Sequence, residues 1–437
     1  MKQFLEPRNV AVIGASRDAG KVGNAIFANL LKSSVKVFPI NPNADEVLGV
    51  RAYASVLEVP VILDMAVIVV PAKLVPQVLK DCGEARIKSV IVVSAGFSES
   101  GNNELQEQIK KIAEHYKISV LGPNVLGVVN PYKNLNASFF NGMPKTGSVG
   151  FISQSGAVGT SILDKALEIG LGVSAFIPLG NMMQQDFISA LEYFKDDRRT
   201  NVIGLYIESL KEGTGKKFVE LCREISKTKK IIVLKSGKTK QGSNAAKTHT
   251  ASMSSDAEIY SGAFEQTGVI EVNKLEEMVK LAEVFEKFGK LGKRVGIISN
   301  AGGLGVLAVD ALVKAGFEIP EIPEKVLRQL DEYVPTGYSR ANPLDILGDA
   351  LAERYEKALR ILKMYNLFDF YVVIISPQQM TQALETSRVL SGYKNVIPCF
   401  IGGKSFKQAE EFLKEKNVVS FDDVGDLRIL RNALEKN

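Results

Sequence analysis

Histidine and cysteine are scarce in this chain, with two of the first and three of the second among 437 residues. Cys82, Cys222 and Cys399 lie far apart and are odd in number, which excludes a disulfide framework and a zinc knuckle. A basic stripe is missing too. Lys and Glu are interspersed and the formal charge is only +5, so nucleic-acid binding is not expected. Long apolar runs are also lacking. The most apolar stretch, Val59 to Ala72, is interrupted by Asp64 and too short to span a bilayer; its β-branched residues read as a buried strand. Met1 to Pro7 show no apolar signal core or cleavage site, so a cytoplasmic protein without membrane attachment is expected. What remains, 46% hydrophobic and 24% charged residues, is the composition of a soluble globular protein. Its length suits roughly three domains.

Strand and helix patterns alternate from the start to about residue 140. Strands are expected at Val10–Ile13, Val35–Ile40, Met65–Val70, Val90–Val93 and Ser119–Leu121, with amphipathic helices at Val22–Lys32, Pro76–Arg86 and Glu104–Tyr116. Such alternation implies an α/β fold, a parallel sheet with helices on both faces. His115, among charged neighbours near the end of the third helix, is expected to face solvent.

The first strand-to-helix turn runs Gly14-Ala15-Ser16-Arg17-Asp18-Ala19-Gly20-Lys21-Val22-Gly23. A glycine-rich turn opening a helix is the usual seat of a phosphate on backbone N–H groups. Two known fingerprints fail here. A P-loop has four residues between its glycines and Ser or Thr after the lysine, whereas this turn has five and then Val22. A dinucleotide site needs an acid at the end of the second strand, and this one ends Ile40-Asn41-Pro42-Asn43. With Arg17, Lys21 and Lys73 available to neutralise several phosphates, the turn suits coenzyme A. Further strand-end loops, Val69-Val70-Pro71-Ala72-Lys73, Ser94-Ala95-Gly96 and Gly122-Pro123-Asn124, outline one crevice with it.

A linker of Pro, Asn, Lys and Gly is expected at 131–147, followed by a second α/β pattern. Its first unit is a strand, the small polar turn Ser153-Gln154-Ser155-Gly156, and a helix through Glu168. Later strands are Val173–Ile177, Val202–Glu208 and Lys230–Lys235. After the last comes Lys247-Thr248-His249-Thr250-Ala251-Ser252, a histidine among hydroxyls in a polar loop. Its imidazole could serve as base, metal ligand or nucleophile, or be an ordinary solvated side chain. Glu208, at the carboxyl end of its strand, is the candidate partner that would fix the ring's tautomer and orientation.

The third α/β segment, 293–437, opens by repeating the second. Gly296-Ile-Ile-Ser299-Asn300-Ala301-Gly302-Gly303-Leu-Gly305 matches Gly150-Phe-Ile-Ser153-Gln154-Ser155-Gly156-Ala-Val-Gly159 at a constant offset of 146 residues, and the register continues through Asp164/Asp310 and Gly170/Gly316. Each copy offers a helix start carrying about half a positive charge and free N–H donors. Two such ends facing one point would hold a phosphate without any Lys or Arg. A final strand–helix pair through Leu434 is expected to close the segment.

These motifs, together with Ser94-Ala-Gly-Phe97, Gly180-Asn181, His249-Thr250 and Asn342-Pro-Leu-Asp345, resemble those of the α subunit of ADP-forming acyl-CoA synthetases, within the succinyl-CoA synthetase superfamily. The resemblance covers nearly the whole chain. It implies three domains: a Rossmann-like CoA-binding domain at 1–140, a flavodoxin-like ligase domain with the phosphohistidine loop at 146–288, and a second flavodoxin-like ligase domain at 293–437. It implies that acyl-CoA and phosphate give an acyl phosphate, which phosphorylates His249, and that the phosphohistidine passes the group to ADP. The ADP/ATP and Mg2+ would sit on an ATP-grasp β subunit in an α2β2 heterotetramer, with no metal on this chain. Glu208 would orient the phosphohistidine and Asn124 would lie near the acyl site. Ser153, Gln154, Ser155 and Gly156 would hold the phosphate with Asn300, Ala301, Gly302 and Gly303. Coenzyme A would lie on Gly14, Ala15, Ser16, Arg17, Lys21, Val22, Asn41, Pro42, Val70, Pro71, Lys73, Ser94, Ala95 and Gly96. The substrate would be a small carboxylic acid or its acyl-CoA.

Three positions depart from that family's pattern: Ala251 after His249-Thr250, Gln184 where an acid is usual, and Asn43 where a lysine is common. A CoA-binding regulatory or acyltransferase-associated module without synthetase activity is the alternative. In such relatives the histidine is typically replaced, so His249 argues against it. A dehydrogenase is opposed by Asn41 at the ribose position.

Overall fold

The computed structural model describes residues 1–239, 241–242 and 257–434. The chain divides into two compact units, Met1–Ala282 and Glu283–Asn437. His249, Ala251 and the loop around them lie outside the described residues.

The first sheet of the larger unit contains β1 (Asn9–Ile13), β2 (Lys36–Ile40), β3 (Met65–Ile68), β4 (Ser89–Val92) and β5 (Ser119–Leu121), all parallel in the order β2-β1-β3-β4-β5. Valine, isoleucine and methionine make β3 and β4 buried throughout, as strands covered on both faces require. The helices α1 (Val22–Leu31), α2 (Val75–Glu84) and α3 (Asn103–Tyr116) supply that cover. His115 is exposed on α3, as expected.

Part of the stretch expected as a linker, 131–147, is a strand, Leu135–Ser138. Residues Gly127–Asn130 (β6) and Leu135–Ser138 (β7) form an antiparallel hairpin, fully buried, that joins the edge of the second sheet. The buried amide nitrogens here find carbonyl acceptors, while Asn130 Oδ1 is buried without a partner among the described residues. Asn130 Nδ2 donates to the Leu5 carbonyl at 2.9 Å, and Asn136 Nδ2 donates to those of Phe140 and Gly142 at 3.1 and 3.0 Å. A single apolar core runs from Val12 and Leu121 through Val128 to Ile152 and Ile177.

The second sheet continues with β8 (Thr146–Ser153), β9 (Val173–Pro178), β10 (Val202–Ile207), β11 (Lys230–Lys235) and β12 (Ile270–Val272), in the order β12-β11-β10-β8-β9-β6-β7. Its helices are α4 (Gly156–Ile169), α5 (Phe187–Asp196), α6 (Gly215–Ile225), α7 (Ala257–Thr267) and α8 (Leu275–Phe288).

The smaller unit holds β13 (Val295–Ser299), β14 (Leu344–Asp345), β15 (Phe370–Ile375) and β16 (Val396–Phe400), parallel in the order β14-β13-β15-β16. The helix α9 (Gly302–Lys314) follows β13. The last element, Val424–Ala433, is a 3-10 helix.

All three parallel arrays therefore share one winding: the first strand of each lies between its second and third. In open α/β sheets the crevice at such a reversal, outside the carboxyl ends of the strands, is where ligands bind. The turns at these reversals are Gly14–Gly23, Ser153–Gly156 and Ser299–Gly302, the three glycine-bearing turns singled out in the sequence.

Candidate functional site

In the larger unit the carboxyl ends of the first two sheets border a single cavity of about 1790 Å³. This exceeds the roughly 300–1,000 Å³ of a pocket for one compact ligand, so an elongated ligand with several parts fits better.

One wall comes from the first sheet. Gly14 has φ +93°, and a Cβ there would meet the Val69 carbonyl oxygen at 3.0 Å, so the turn after β1 lies directly on the loop after β3. Asn41, at the ribose position of dinucleotide folds, spends its side chain on the same turn: Nδ2 donates to the Ala15 carbonyl at 2.8 Å, and Asn43 N–H donates to its Oδ1 at 2.9 Å. Ser94 Oγ donates to the Val70 carbonyl at 2.5 Å and so joins the ends of β3 and β4. Of the residues expected at coenzyme A, Val22, Val70, Pro71, Ser94 and Ala95 line the cavity. Gly14, Ala15, Ser16, Arg17, Lys21, Asn41, Pro42, Lys73 and Gly96 do not line it. Arg17, Lys21 and Lys73 are exposed, with the side chains free to reach anions in solvent.

The opposite wall belongs to the second sheet. Ser155 caps α4, accepting from Val158 N–H at 3.4 Å. Ser153 is fully buried and its Oγ donates to the Ser155 carbonyl at 2.7 Å. Gln154 Oε1 accepts from the backbone N–H groups of Glu208 and Ser209 at 2.9 and 3.0 Å, which fastens the end of β10 to the end of β8. Its side chain is thus occupied, and what the turn leaves for an anion is the backbone at the helix start. Glu208 is 7% exposed and lines the cavity with Gln154, Ser155 and Gly156.

The smaller unit repeats this construction at the 146-residue offset. Ser299 Oγ donates to the Ala301 carbonyl at 2.9 Å. Asn300 Oδ1 accepts from Ser376 N–H at 2.8 Å and its Nδ2 donates back to the Ser376 carbonyl at 3.2 Å, fastening β15 to β13. Gly302 and Gly303 at the start of α9 are exposed. The duplication read from the sequence thus extends to matching side-chain bonds.

Asn124 lies between the two walls. It has φ +61°, its N–H donates to the Ser94 carbonyl at 3.0 Å, and its Nδ2 reaches Asn181 Oδ1 at 3.5 Å. Asn181 in turn donates to Glu99 Oε2 at 2.5 Å and Gln106 Oε1 at 2.9 Å. Burial alone would push the Glu99 carboxyl up, but hydrogen bonds from Asn181 and from the N–H groups of Gly96 and Phe97 outweigh it and hold the group below the usual glutamate value. Glu99 and the Asn181 role were not assigned from the sequence. Glu99 stands in a loop read as a strand end and Asn181 in a motif of the family resemblance, but their pairing joins positions 82 residues apart. Gln184, one of the departures, accepts from Val120 N–H on the edge strand β5 at 2.7 Å, so it joins the two sheets rather than facing the cavity. Among the described residues no cluster of His, Cys, Asp and Glu could hold a metal ion. No helix among them is long and apolar enough to cross a membrane.

Comparison with known proteins agrees with this layout. Residues 8–131 match a CoA binding domain, 146–285 a succinyl-CoA ligase like flavodoxin domain, and 295–429 a ligase-CoA domain. The chain is 36% identical to the acetate–CoA ligase [ADP-forming] II subunit alpha of Pyrococcus furiosus, over 99% of this chain and 96% of that one. It is 38% identical to acetate–CoA ligase [ADP-forming] I of Archaeoglobus fulgidus over 97% of its own length, but spans only 62% of that longer protein. Among solved structures it is similar to the dinucleotide-forming acetyl-coenzyme A synthetase 1 of Ca. Korarchaeum cryptofilum in complex with phosphate and ADP, with a TM-score of 0.91 and 32% identity, over 99% of this chain and 95% of that one. The chain belongs to the family of ADP-forming acetate–CoA ligases.

Proposed function

We propose that this chain is the α subunit of an ADP-forming acyl-CoA synthetase, converting acyl-CoA, ADP and phosphate into a carboxylic acid, CoA and ATP through a phosphohistidine on His249. The observation that carries this reading is the anchoring of the chain on both sides of His249. Lys235, at the end of β11, donates from Nζ to the Glu208 carbonyl at 2.8 Å. On the far side, Tyr260 of α7 accepts at Oη from Leu210 N–H at 3.1 Å. The described chain before and after that segment is therefore held at Glu208 and Leu210, next to the end of β10.

The chemistry divides into three displacements. A phosphate oxygen attacks the thioester carbonyl carbon, the C–S bond breaks, and CoA leaves as a thiolate that takes up a proton. Asn124, held through Asn181 and Glu99, is the amide that would polarise that carbonyl. An imidazole nitrogen of His249 then attacks phosphorus, and the bond to the acyl oxygen breaks to free the carboxylate. Finally a terminal oxygen of ADP takes the phosphoryl group as the P–N bond breaks. Glu208 accepts a hydrogen bond from the other ring nitrogen and stabilises the imidazolium that forms. The dipole of α4 and the N–H groups of Gly156 and Ala157 hold the phosphoryl oxygens. The matching start of α9, at Asn300–Gly303, is assigned the same task.

ADP and its Mg2+ are assigned to a separate ATP-grasp subunit in an α2β2 assembly. Two facts support a partner: the Pyrococcus relative is named a subunit alpha, and the Archaeoglobus relative carries additional chain beyond the part matched here. The exposed Arg17, Lys21 and Lys73 would meet the phosphates of CoA, with its thiol end inside the cavity. Incubation with labelled inorganic phosphate and a panel of acyl-CoAs, with and without a candidate β subunit, tests the reading. Acyl-CoA-dependent labelling of the chain supports it. Absence of label with every acyl-CoA, in the presence of a partner that completes turnover, contradicts it.

A further inference from the structure

Lys211 stands in the loop that follows β10 and Glu208, and the reaction scheme gives it no task. It is exposed and lines the cavity. Its Nζ donates to the Met183 carbonyl at 3.2 Å, in the loop after β9. In the sheet, β8 lies between β10 and β9. A bond from the loop after β10 to the loop after β9 therefore passes over the carboxyl end of β8, where the Ser153–Gly156 turn departs.

The Met183 end of this strap is firmly held. Met183 N–H donates to the Gly122 carbonyl at 3.2 Å, Asn181 N–H to that of Pro123 at 3.0 Å, and Leu179 N–H to that of Ser153 at 2.8 Å. The loop after β9 thus runs from Ser153 to the Gly122-Pro123-Asn124 loop. The Lys211 ammonium is tethered at its far end, beside the loop that carries Asn124.

An ammonium has three N–H donors, and the Met183 carbonyl takes one of them. A neutral carbonyl also leaves the charge uncompensated. The charged residues that line the cavity are the acids Glu99, Glu107, Glu208 and Glu212 and the bases Lys110 and Lys211. Lys110 lies 3.7 Å from Glu107, so its charge is already matched. Lys211 has a carbonyl partner and no carboxylate partner among the described residues. Inorganic phosphate enters as an anion, and repulsion from the lining carboxylates opposes its entry. The start of α4 offers about half a positive charge, less than the anion brings.

We infer that Lys211 is a binding residue for the attacking phosphate: its two remaining N–H groups hold phosphate oxygens over the end of β8, beside the start of α4, and keep them when the acyl phosphate forms. This rests on the proposed acyl-CoA synthetase reading and deepens it by naming the cation of the phosphate site. The displacement is the one already written, in which the new C–O bond forms as the C–S bond breaks, and Lys211 keeps its proton throughout.

A lysine that only strapped two loops together would make the same bond to Met183, so substitution has to separate charge from tether. Lys211→Arg keeps the charge, and Lys211→Gln keeps a hydrogen-bond donor without it. Binding of inorganic phosphate to the full chain is measured by calorimetry, with CoA present throughout to engage the exposed cations of the Gly14–Gly23 turn. Lys211→Gln should weaken phosphate binding by about tenfold or more, the worth of one hydrogen bond to a charged group, and Lys211→Arg should stay close to the parent. Parental binding in Lys211→Gln would overturn the inference, as would a parent chain that binds no phosphate.

Turnover with a partner subunit gives a second readout. In Lys211→Gln the KM for phosphate should rise by a similar factor while the KM for acyl-CoA stays in place. Equal rises in both KM values mark a tether rather than a phosphate contact and overturn the inference. If phosphate binds through Lys211 but acyl-CoA never places label on the chain, the phosphate contact stands and the phosphohistidine reading fails.

Discussion

Asn181 and Glu99 meet side chain to side chain at 2.5 Å, one from the loop after β9 and the other from the loop after β4. The bond ties the two sheets of the larger unit together at the wall of the cavity. The Glu99 carboxylate accepts it along with two backbone N–H groups, and these bonds favour the ionised form. Because its folded-state value lies below the ordinary one, Glu99 contributes stability that is full above the unfolded value and is lost as pH falls through the folded value. Glu99→Gln should therefore melt at a lower temperature than the parent near neutral pH, and the gap should close in acid. Thermal unfolding from pH 7 downward reads this directly. A gap that widens in acid would contradict the assignment.

Gly180 marks another close approach. It has φ +56°, and a Cβ would lie 2.3 Å from the Pro123 carbonyl oxygen and 2.5 Å from that of Asn124. Neither backbone oxygen can swing aside as a flexible side chain would. Gly180→Ala should cost about 1–3 kcal/mol of stability and shift Asn124, raising KM for acyl-CoA. Chemical denaturation and initial rates check both parts; an alanine variant with parental stability would mean the two loops are not held so tightly.

The duplicated strand clamps offer a matched comparison. Gln154→Ala leaves the N–H groups of Glu208 and Ser209 without their acceptor, and Asn300→Ala does the same to Ser376. Each loss should cost about 1–3 kcal/mol, since a buried donor left unsatisfied loses its full solvation. Gln154→Ala should also slow phosphoenzyme formation, because it releases Glu208. Denaturation curves together with labelling rates separate the two effects.

Much of this arrangement was legible in the sequence where local rules suffice. Runs such as Met65–Ile68 and Lys230–Lys235 are strands because β-branched residues bounded by polar turns leave few alternatives. The 146-residue repeat marks the duplicated turns in the sequence itself. The strand Leu135–Ser138 reads as part of a linker in the sequence because Pro131, Asn134 and Asn136 have loop composition. Asn136 is nonetheless buried, and its N–H donates to Ser33 Oγ, 103 residues away in the chain. Gln184 and Glu99 escaped assignment for the same reason: each matters through a partner distant in sequence, and no local pattern encodes that pairing.

The central claim is that His249 is a transient carrier of phosphorus. Its most direct test is to label the chain with radioactive phosphate and acyl-CoA, digest it, and locate the label. The account predicts an acid-labile, base-stable label on the peptide containing His249, and none in His249→Ala that retains the parental circular dichroism. Label on a different residue, or undiminished label in the alanine variant, would contradict it.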